Sequence, residues 1–157
     1  SPTIDAIIYT IHRLKELENY RPDYICLLQC TAPMKTVEHI DGAIGKLLNS
    51  KADGIVSVCE VEEHPYWMQV FQGDKLEYFV KQEKKILRRQ DLPKVYRFNG
   101  AIWAAKTSAL LMEKKLVLEN ETGYVMSIED SVDIDTEDDF RVAEKIMEQR
   151  AEGRKKQ

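Results

Sequence analysis

A chain of 157 residues is long enough for one domain with a real core, and its 43% hydrophobic and 32% charged content excludes a disordered polymer. The formal net charge of −4 lacks the basic excess that nucleic acid or an anionic membrane surface would call for. No apolar run approaches the roughly 20 residues of a membrane span, and no signal-peptide pattern opens the sequence. The odd count of three cysteines, Cys26, Cys30 and Cys59, predicts reduced thiols in a cytoplasmic protein. No His or Cys cluster accompanies Cys26 and Cys30, so they do not read as a zinc site.

In chain order, residues 1–19 predict a helix. Ser1 is placed to cap it, Pro2 to start it, and Ile4, Ile7, Ile8, Ile11 and Leu14 fall on one face before Arg21-Pro22 ends it. Tyr24-Ile25-Cys26-Leu27-Leu28 is a near-continuous apolar run, the pattern of a strand buried on both faces of a parallel sheet. A polar loop, Gln29 to Pro33, follows. Thr36 is then placed to cap a second helix with Ile40, Ile44, Leu47 and Leu48 as its buried stripe. Gly54 to Cys59 reads as another buried strand. Helix, strand, helix, strand argues for an α/β fold with a mostly parallel sheet flanked by helices.

Beyond this the pattern changes. Trp67–Phe71 and Leu76–Phe79 flank Gln72-Gly73-Asp74-Lys75, which signals a hairpin. A basic segment from Lys81 to Arg89 has no clear periodicity and reads as an excursion from the sheet, an arm or flap, or else a solvated loop. Asn99 to Ala105 returns to a strand, Thr107 caps a short helix through Leu110, Leu111 and Met112, and Gly123 to Met126 is a short extended piece. A last helix runs from Glu137 to about Arg150, with Phe140, Ala143, Ile146 and Met147 on its apolar side, and Glu152–Gln157 is a frayed polar tail.

Ser131-Val132-Asp133-Ile134-Asp135-Thr136 precedes that helix and predicts an extended segment running into it. Side chains two apart point the same way in an extended chain, so Asp133 and Asp135 share a face while Val132 and Ile134 turn to the core. Thr136 and Asp139 form a capping-box-like pair. Two convergent carboxylates at the end of a strand suit Mg²⁺, which takes one or two carboxylates plus substrate phosphate oxygens. Acidic pairs are common, and spacing alone favours two solvated turn residues over a metal clamp. Similarly, Arg88 and Arg89 read as surface charges paired with Asp91, Gly100 as a tight entry to its strand, and His64 before Pro65 as a turn residue.

Taken together and in order, Leu27-Leu28-Gln29-Cys30-Thr31-Ala32-Pro33, His64-Pro65, Arg88-Arg89-Gln90-Asp91-Leu92-Pro93, Asn99-Gly100-Ala101-Ile102 and Asp133-Ile134-Asp135-Thr136 resemble the acylneuraminate cytidylyltransferases, or CMP-sialic acid synthetases. The resemblance covers nearly the whole chain. It implies a Rossmann-like nucleotidyltransferase fold and one cytidylyltransferase domain over 1–157. It also implies joining of CTP to an acidic nine-carbon sugar with Mg²⁺, and a homodimer whose arm and sugar-site segment fall at 64–98.

By the same resemblance, Asp133 and Asp135 are the metal-holding carboxylates, and Gln29 and Thr31 lie near sugar and nucleotide. Arg89 binds the acidic sugar, Arg97, Asn99 and Gly100 line its pocket, and Trp103 stands where an aromatic wall is usual. Cys30 replaces a usual proline and Ala32 a usual serine. Lys35 stands where arginine is common, and Trp67 where some sialic acid enzymes have lysine. The change at Trp67 fits a legionaminate-type sugar at least as well as N-acetylneuraminate. The family opens with a strand and a glycine- and arginine-rich phosphate loop. None of the seven glycines here is clustered that way, so the chain is expected to lack that loop. A catalytically silent fragment that dimerises or binds sugar, and a transferase using another nucleotide, are the competing expectations.

Overall fold

The computed structural model describes residues 3–81 and 88–155, with side chains described to residue 153. The capping roles expected of Ser1 and Pro2, and most of the basic segment after Lys81, lie outside the described residues. Among the described residues four α-helices, α1 (Thr3–Glu18), α2 (Val37–Leu48), α3 (Thr107–Glu113) and α4 (Glu137–Lys155), accompany six strands. The strands are β1 (Tyr24–Leu28), β2 (Gly54–Glu60), β3 (Gln69–Gln72), β4 (Lys75–Tyr78), β5 (Tyr96–Lys106) and β6 (Glu121–Val125).

The main sheet has the order β1-β5-β2-β6. β5 pairs antiparallel with both β1 and β2, while β2 and β6 pair in parallel. The fold is therefore α/β, but the sheet is mixed, which corrects the mostly parallel expectation. β1, β2 and β6 do run the same way, as the helix–strand alternation requires. The long return strand β5 inserts between the first two, and a strand arriving from an excursion rather than a crossover helix is free to enter reversed. One consequence decides where chemistry can occur. The C-terminal ends of β1, β2 and β6 and the N-terminal end of β5 all lie at one end of the sheet.

Helices cover both faces. Ile11 of α1 packs with Ala105, Ala109, Leu110 and Leu118, with Ile4, Ile7, Ile8 and Ile25 around them. On the other face Ala43 and Leu47 of α2 meet Ala32, Ile55, Ile102, Ala104 and Met126. The stripe expected on α2 thus shifts, because Ala43 is buried while Leu48 is 55% exposed. β2 is buried along all but its last residue, as its apolar run requires. β1 is not buried on both faces as expected; Tyr24, Cys26 and Leu28 are exposed. Within the described sheet β1 pairs with β5 alone, so it is an edge strand whose Ile25 and Leu27 turn under α1.

Local chemistry fixes the element ends. α1 stops where Asn19 takes a left-handed conformation (φ 53°) and the Tyr20 N–H folds back to donate to the Leu14 carbonyl at 3.2 Å. Thr36 caps α2, and the ring Nδ1 of His39 returns to accept from the Thr36 N–H at 3.1 Å. The expected β3–β4 hairpin forms with Gly73 at φ 62°, where a two-residue turn needs a residue without Cβ. Thr107 is not a cap. It is the first residue of α3, its hydroxyl is buried without a partner among the described residues, and its N–H donates to the Asp23 carbonyl at 2.9 Å. α4 continues to Lys155, past the expected end near Arg150; Glu–Arg pairs such as Glu137–Arg141 at 2.9 Å line its first turns.

Glu121 opens β6 opposite Gly54. Burial pushes its carboxyl up to about 7, the nearby Glu113 charge adds to this, and a hydrogen bond from the Leu118 backbone opposes it. The folded protein holds this proton through a range where the unfolded chain has released it. Stability therefore falls as pH rises from about 4.5 to about 7 and levels off above that. Glu121→Gln should leave the urea midpoint near wild type at pH 5 and raise it above wild type at pH 8. A shift of equal size at both pH values would place the carboxyl in water.

Candidate active site

The site is built around an irregularity in β5. Val56 pairs with Trp103 and Val58 with Phe98, so the single residue Ser57 of β2 faces the four residues 99–102 of β5. This large bulge needs a turn within the strand, and Gly100 supplies it at φ 71°. The Ser57 hydroxyl closes the gap. It accepts from the Ile102 N–H at 2.7 Å and donates to the Asn99 side-chain oxygen Oδ1 at 2.6 Å. Asn99 is 1% exposed. Its amide nitrogen donates to the Ser131 hydroxyl at 2.7 Å and reaches the Met126 sulfur at 3.4 Å, and its oxygen also accepts from the Ala101 N–H at 3.3 Å.

Ser131 ends a 3-10 turn, Glu129–Ser131, and donates in turn to the Ser127 carbonyl at 2.6 Å. The acidic stretch follows directly. Residues 132–134 belong to no strand and 135–136 form a bend, which corrects the expected extended segment at a strand end. They are held instead by the Ile134 N–H, which donates to the Thr31 carbonyl at 2.8 Å. Asp133 lies against Gly100: a Cβ added there would sit 3.3 Å from Asp133 Oδ2. Its other oxygen, Oδ1, is buried and has no hydrogen-bond partner among the described residues. Asp135 is exposed, and its N–H donates to Asp139 at 3.2 Å. The Thr136–Asp139 capping box forms as expected, with Thr136 N–H to Asp139 at 2.8 Å and Asp139 N–H to the Thr136 hydroxyl at 3.3 Å.

The loop after β1 is equally fixed. The Lys35 ammonium donates to the Gln29 and Ala32 carbonyls at 2.5 and 2.7 Å, and burial depresses its pKa while the Cys30 charge acts in the opposite direction. Gln29 and Thr31 are half-buried on this turn. α4 braces it from behind, with Arg150 reaching Asp130 at 2.7 Å and the Met34 carbonyl at 3.5 Å. Burial would raise the Asp130 carboxyl, but the Ser127 hydroxyl, Arg150 and His39 at 3.6 Å together outweigh it and hold the group low.

The remaining expected site residues divide. Arg89 stands at the base of the hairpin excursion and donates to the Glu62 carbonyl at 2.7 Å. Beside it the His64 ring closes the same base, accepting from the Tyr66 N–H and donating to the Pro93 carbonyl, both at 3.1 Å. His64 is thus a turn brace, as its place before proline suggests. Arg97 is exposed on the entering end of β5. Trp103 points to the α1 side, beside Ile7, Ile25 and Leu27 and 5.3 Å from the Phe98 ring, with its indole N–H buried and without a partner among the described residues. Asn99, expected in a pocket wall, instead has its amide inside the core. Among the sequence readings, Ser57 and Ser131 have no role, although one serine within an otherwise apolar buried strand is itself a signal of an internal polar partner.

No family model matches the chain. It is 33% identical over 129 residues to an N-acylneuraminate cytidylyltransferase of Streptococcus agalactiae, an alignment covering 79% of this chain and 31% of that protein. It is 26% identical over 151 residues to the CMP-N,N'-diacetyllegionaminic acid synthase of Legionella pneumophila (94% of this chain, 63% of that protein). A pseudaminic acid cytidylyltransferase of Campylobacter jejuni is 24% identical over 139 residues (88% and 60%). The chain is homologous to the acylneuraminate cytidylyltransferases. It spans about a third of the length of the streptococcal cytidylyltransferase and under two thirds of the other two.

Gly100→Ala tests the contact of Gly100 with Asp133. A Cβ at this left-handed position costs about 1–2 kcal/mol of backbone strain, and crowding against Asp133 adds to it. The urea midpoint should fall accordingly; an unchanged midpoint would mean that the bulge does not need glycine.

Proposed function

We propose that this chain forms part of an enzyme that transfers CMP from CTP to a sialic acid-like nonulosonic acid, of N-acetylneuraminate or legionaminate type, releasing pyrophosphate. The observation that carries the reading is the buried, unpartnered Asp133 oxygen at the sheet end, in a chain whose relatives are named for this chemistry. A carboxylate oxygen withdrawn from water without a donor is unfavourable unless a cation or proton completes it. Carboxylates are the donors Mg²⁺ takes from protein, one or two at a time, with substrate phosphates and water completing its shell. Asp133 and Asp135 would hold it. When bound, the ion supplies charge neutralisation at the phosphates and can sharpen the attacking hydroxyl.

The chain's own groups have three tasks in an in-line attack of the sugar's anomeric hydroxyl on the α-phosphate, where positioning and charge stabilisation dominate. The Gln29–Thr31 turn presents amide and hydroxyl groups at the sheet end. Gly100, lacking a Cβ, leaves room beside Asp133. Arg89 and Arg97 offer planar forks to a sugar carboxylate, which such forks bind in two places. Trp103 acts through packing of the neighbouring β5 backbone. The hairpin displays Phe71 (74% exposed), Leu76 (56%) and Phe79 (66%), an apolar surface suited to the arm of a homodimer. The enzyme is taken to be cytoplasmic, in keeping with its free cysteines.

Formation of CMP-sugar from CTP, compared with GTP, ATP and UTP, tests the reading. It should be measured with and without the glycine- and arginine-rich segment that opens the related synthetases. CTP should be preferred; preference for another base, or no turnover in either setting, overturns it. Asp135→Asn should reduce Mg²⁺-dependent turnover by at least ~100-fold with the fold intact, and wild-type rates would remove Asp135 from the site. Arg89→Ala should raise the KM for the sugar about tenfold or more while the KM for CTP stays within about twofold. Equal changes would assign Arg89 only its brace to Glu62.

A further inference from the structure

Asn99 was expected to face the sugar, yet every polar atom of its side chain is engaged inside the protein. Its oxygen takes the Ser57 hydroxyl and the Ala101 N–H, and its nitrogen gives to the Ser131 hydroxyl and approaches the Met126 sulfur. An amide has two acceptor sites and two donors, so no capacity remains for a ligand. With 1% exposure there is also no path to one. The group lies at a junction of three elements: β2 through Ser57, the β5 bulge through its own backbone, and the turn Glu129–Ser131 through Ser131. That last residue is two positions before Asp133.

We propose that Asn99 is a positioning residue, which sets the Asp133 carboxylate against Gly100 by tying Ser131 to the bulge, and that it does not contact substrate. Asp133 is then fixed from both sides. Upstream, the Asn99–Ser131 bond at 2.7 Å anchors the turn; downstream, the Ile134 N–H is held by the Thr31 carbonyl at 2.8 Å. A buried polar network that is fully satisfied selects one arrangement sharply, because each alternative leaves a polar group unpaired in the interior. An apolar residue at 99 would pack but would not fix the direction in which the acidic stretch leaves the core. The catalytic meaning of this placement rests on the cytidylyltransferase reading; the placement itself does not.

Hydrogen exchange on the folded chain tests the placement without turnover. In Asn99→Ala, and in the milder Ser131→Ala that keeps the Ser57–Asn99 half of the network, the Ile134 amide should exchange about tenfold faster. The Asp53 and Lys106 amides, bonded to the Asn120 and Asp53 carbonyls at 2.8 Å and remote from the bulge, should change by less than about twofold. Equal acceleration of all these amides would mean a role in global stability alone, and an unmoved Ile134 amide would mean no positioning; either overturns the proposal. Where CMP transfer is measurable, Ser131→Ala should lower kcat with the sugar KM within about twofold, whereas a raised sugar KM after Asn99→Ala with Ile134 unmoved would make Asn99 a substrate contact. A wild-type chain that transfers no CMP would remove the functional reading but leave the exchange result to decide this one.

Discussion

One buried amide organises the end of the sheet where β5 enters. Asn99 sits where β5 departs from regular pairing, and the departure is tolerable only because its unpaired backbone groups find side-chain partners. The Ser57 hydroxyl takes the Ile102 N–H that the ladder abandons, and Asn99 takes the Ala101 N–H. Desolvated polar groups are costly when unmet, so the bulge, the serine and the amide stand or fall together. With them stands the turn that delivers the acidic stretch.

The sheet direction explains why these parts meet at one place. β1, β2 and β6 point the same way and β5 runs back between them, so three outgoing ends and one returning end share an edge of the sheet. The Gln29–Lys35 turn, the base of the hairpin excursion, the acidic stretch and the Arg97–Gly100 entry of β5 are those ends. In α/β sheets this is the end where ligands bind, because loops there vary while the strands stay fixed.

The braces around the site are ionic and hydrogen-bonded rather than apolar. Lys35 clamps two carbonyls of its own turn, Arg150 of α4 reaches both Asp130 and the Met34 carbonyl, and His64 and Arg89 close the base of the excursion. Directional contacts of this kind fix backbone geometry in a region where apolar packing, which is indifferent to direction, would not. The hairpin beyond them is the opposite case: its two strands are exposed on both faces and present aromatic side chains to solvent.

The sequence by itself determined the elements whose signals are local. The α1 stripe, the buried β2 run, the Gly73 hairpin and the Thr136–Asp139 cap each depend on periodicity or on a bond within four residues, and each stands as read. The ordered motifs were visible too, since they lie in contiguous stretches, but the expected strand end beneath the acidic pair is replaced by an irregular stretch and a bend. What only the tertiary structure decided depends on partners far apart in sequence. Nothing near Asn99 says that Ser57 and Ser131 await it, 42 and 32 positions away. Nor does the Tyr24–Leu28 run say that β1 is an edge strand, since its apolar residues would be equally at home in a sheet centre. The reversed entry of β5 was hidden for the same reason: strand composition records burial, not direction, and direction is settled by which neighbour offers the matching ladder of hydrogen bonds.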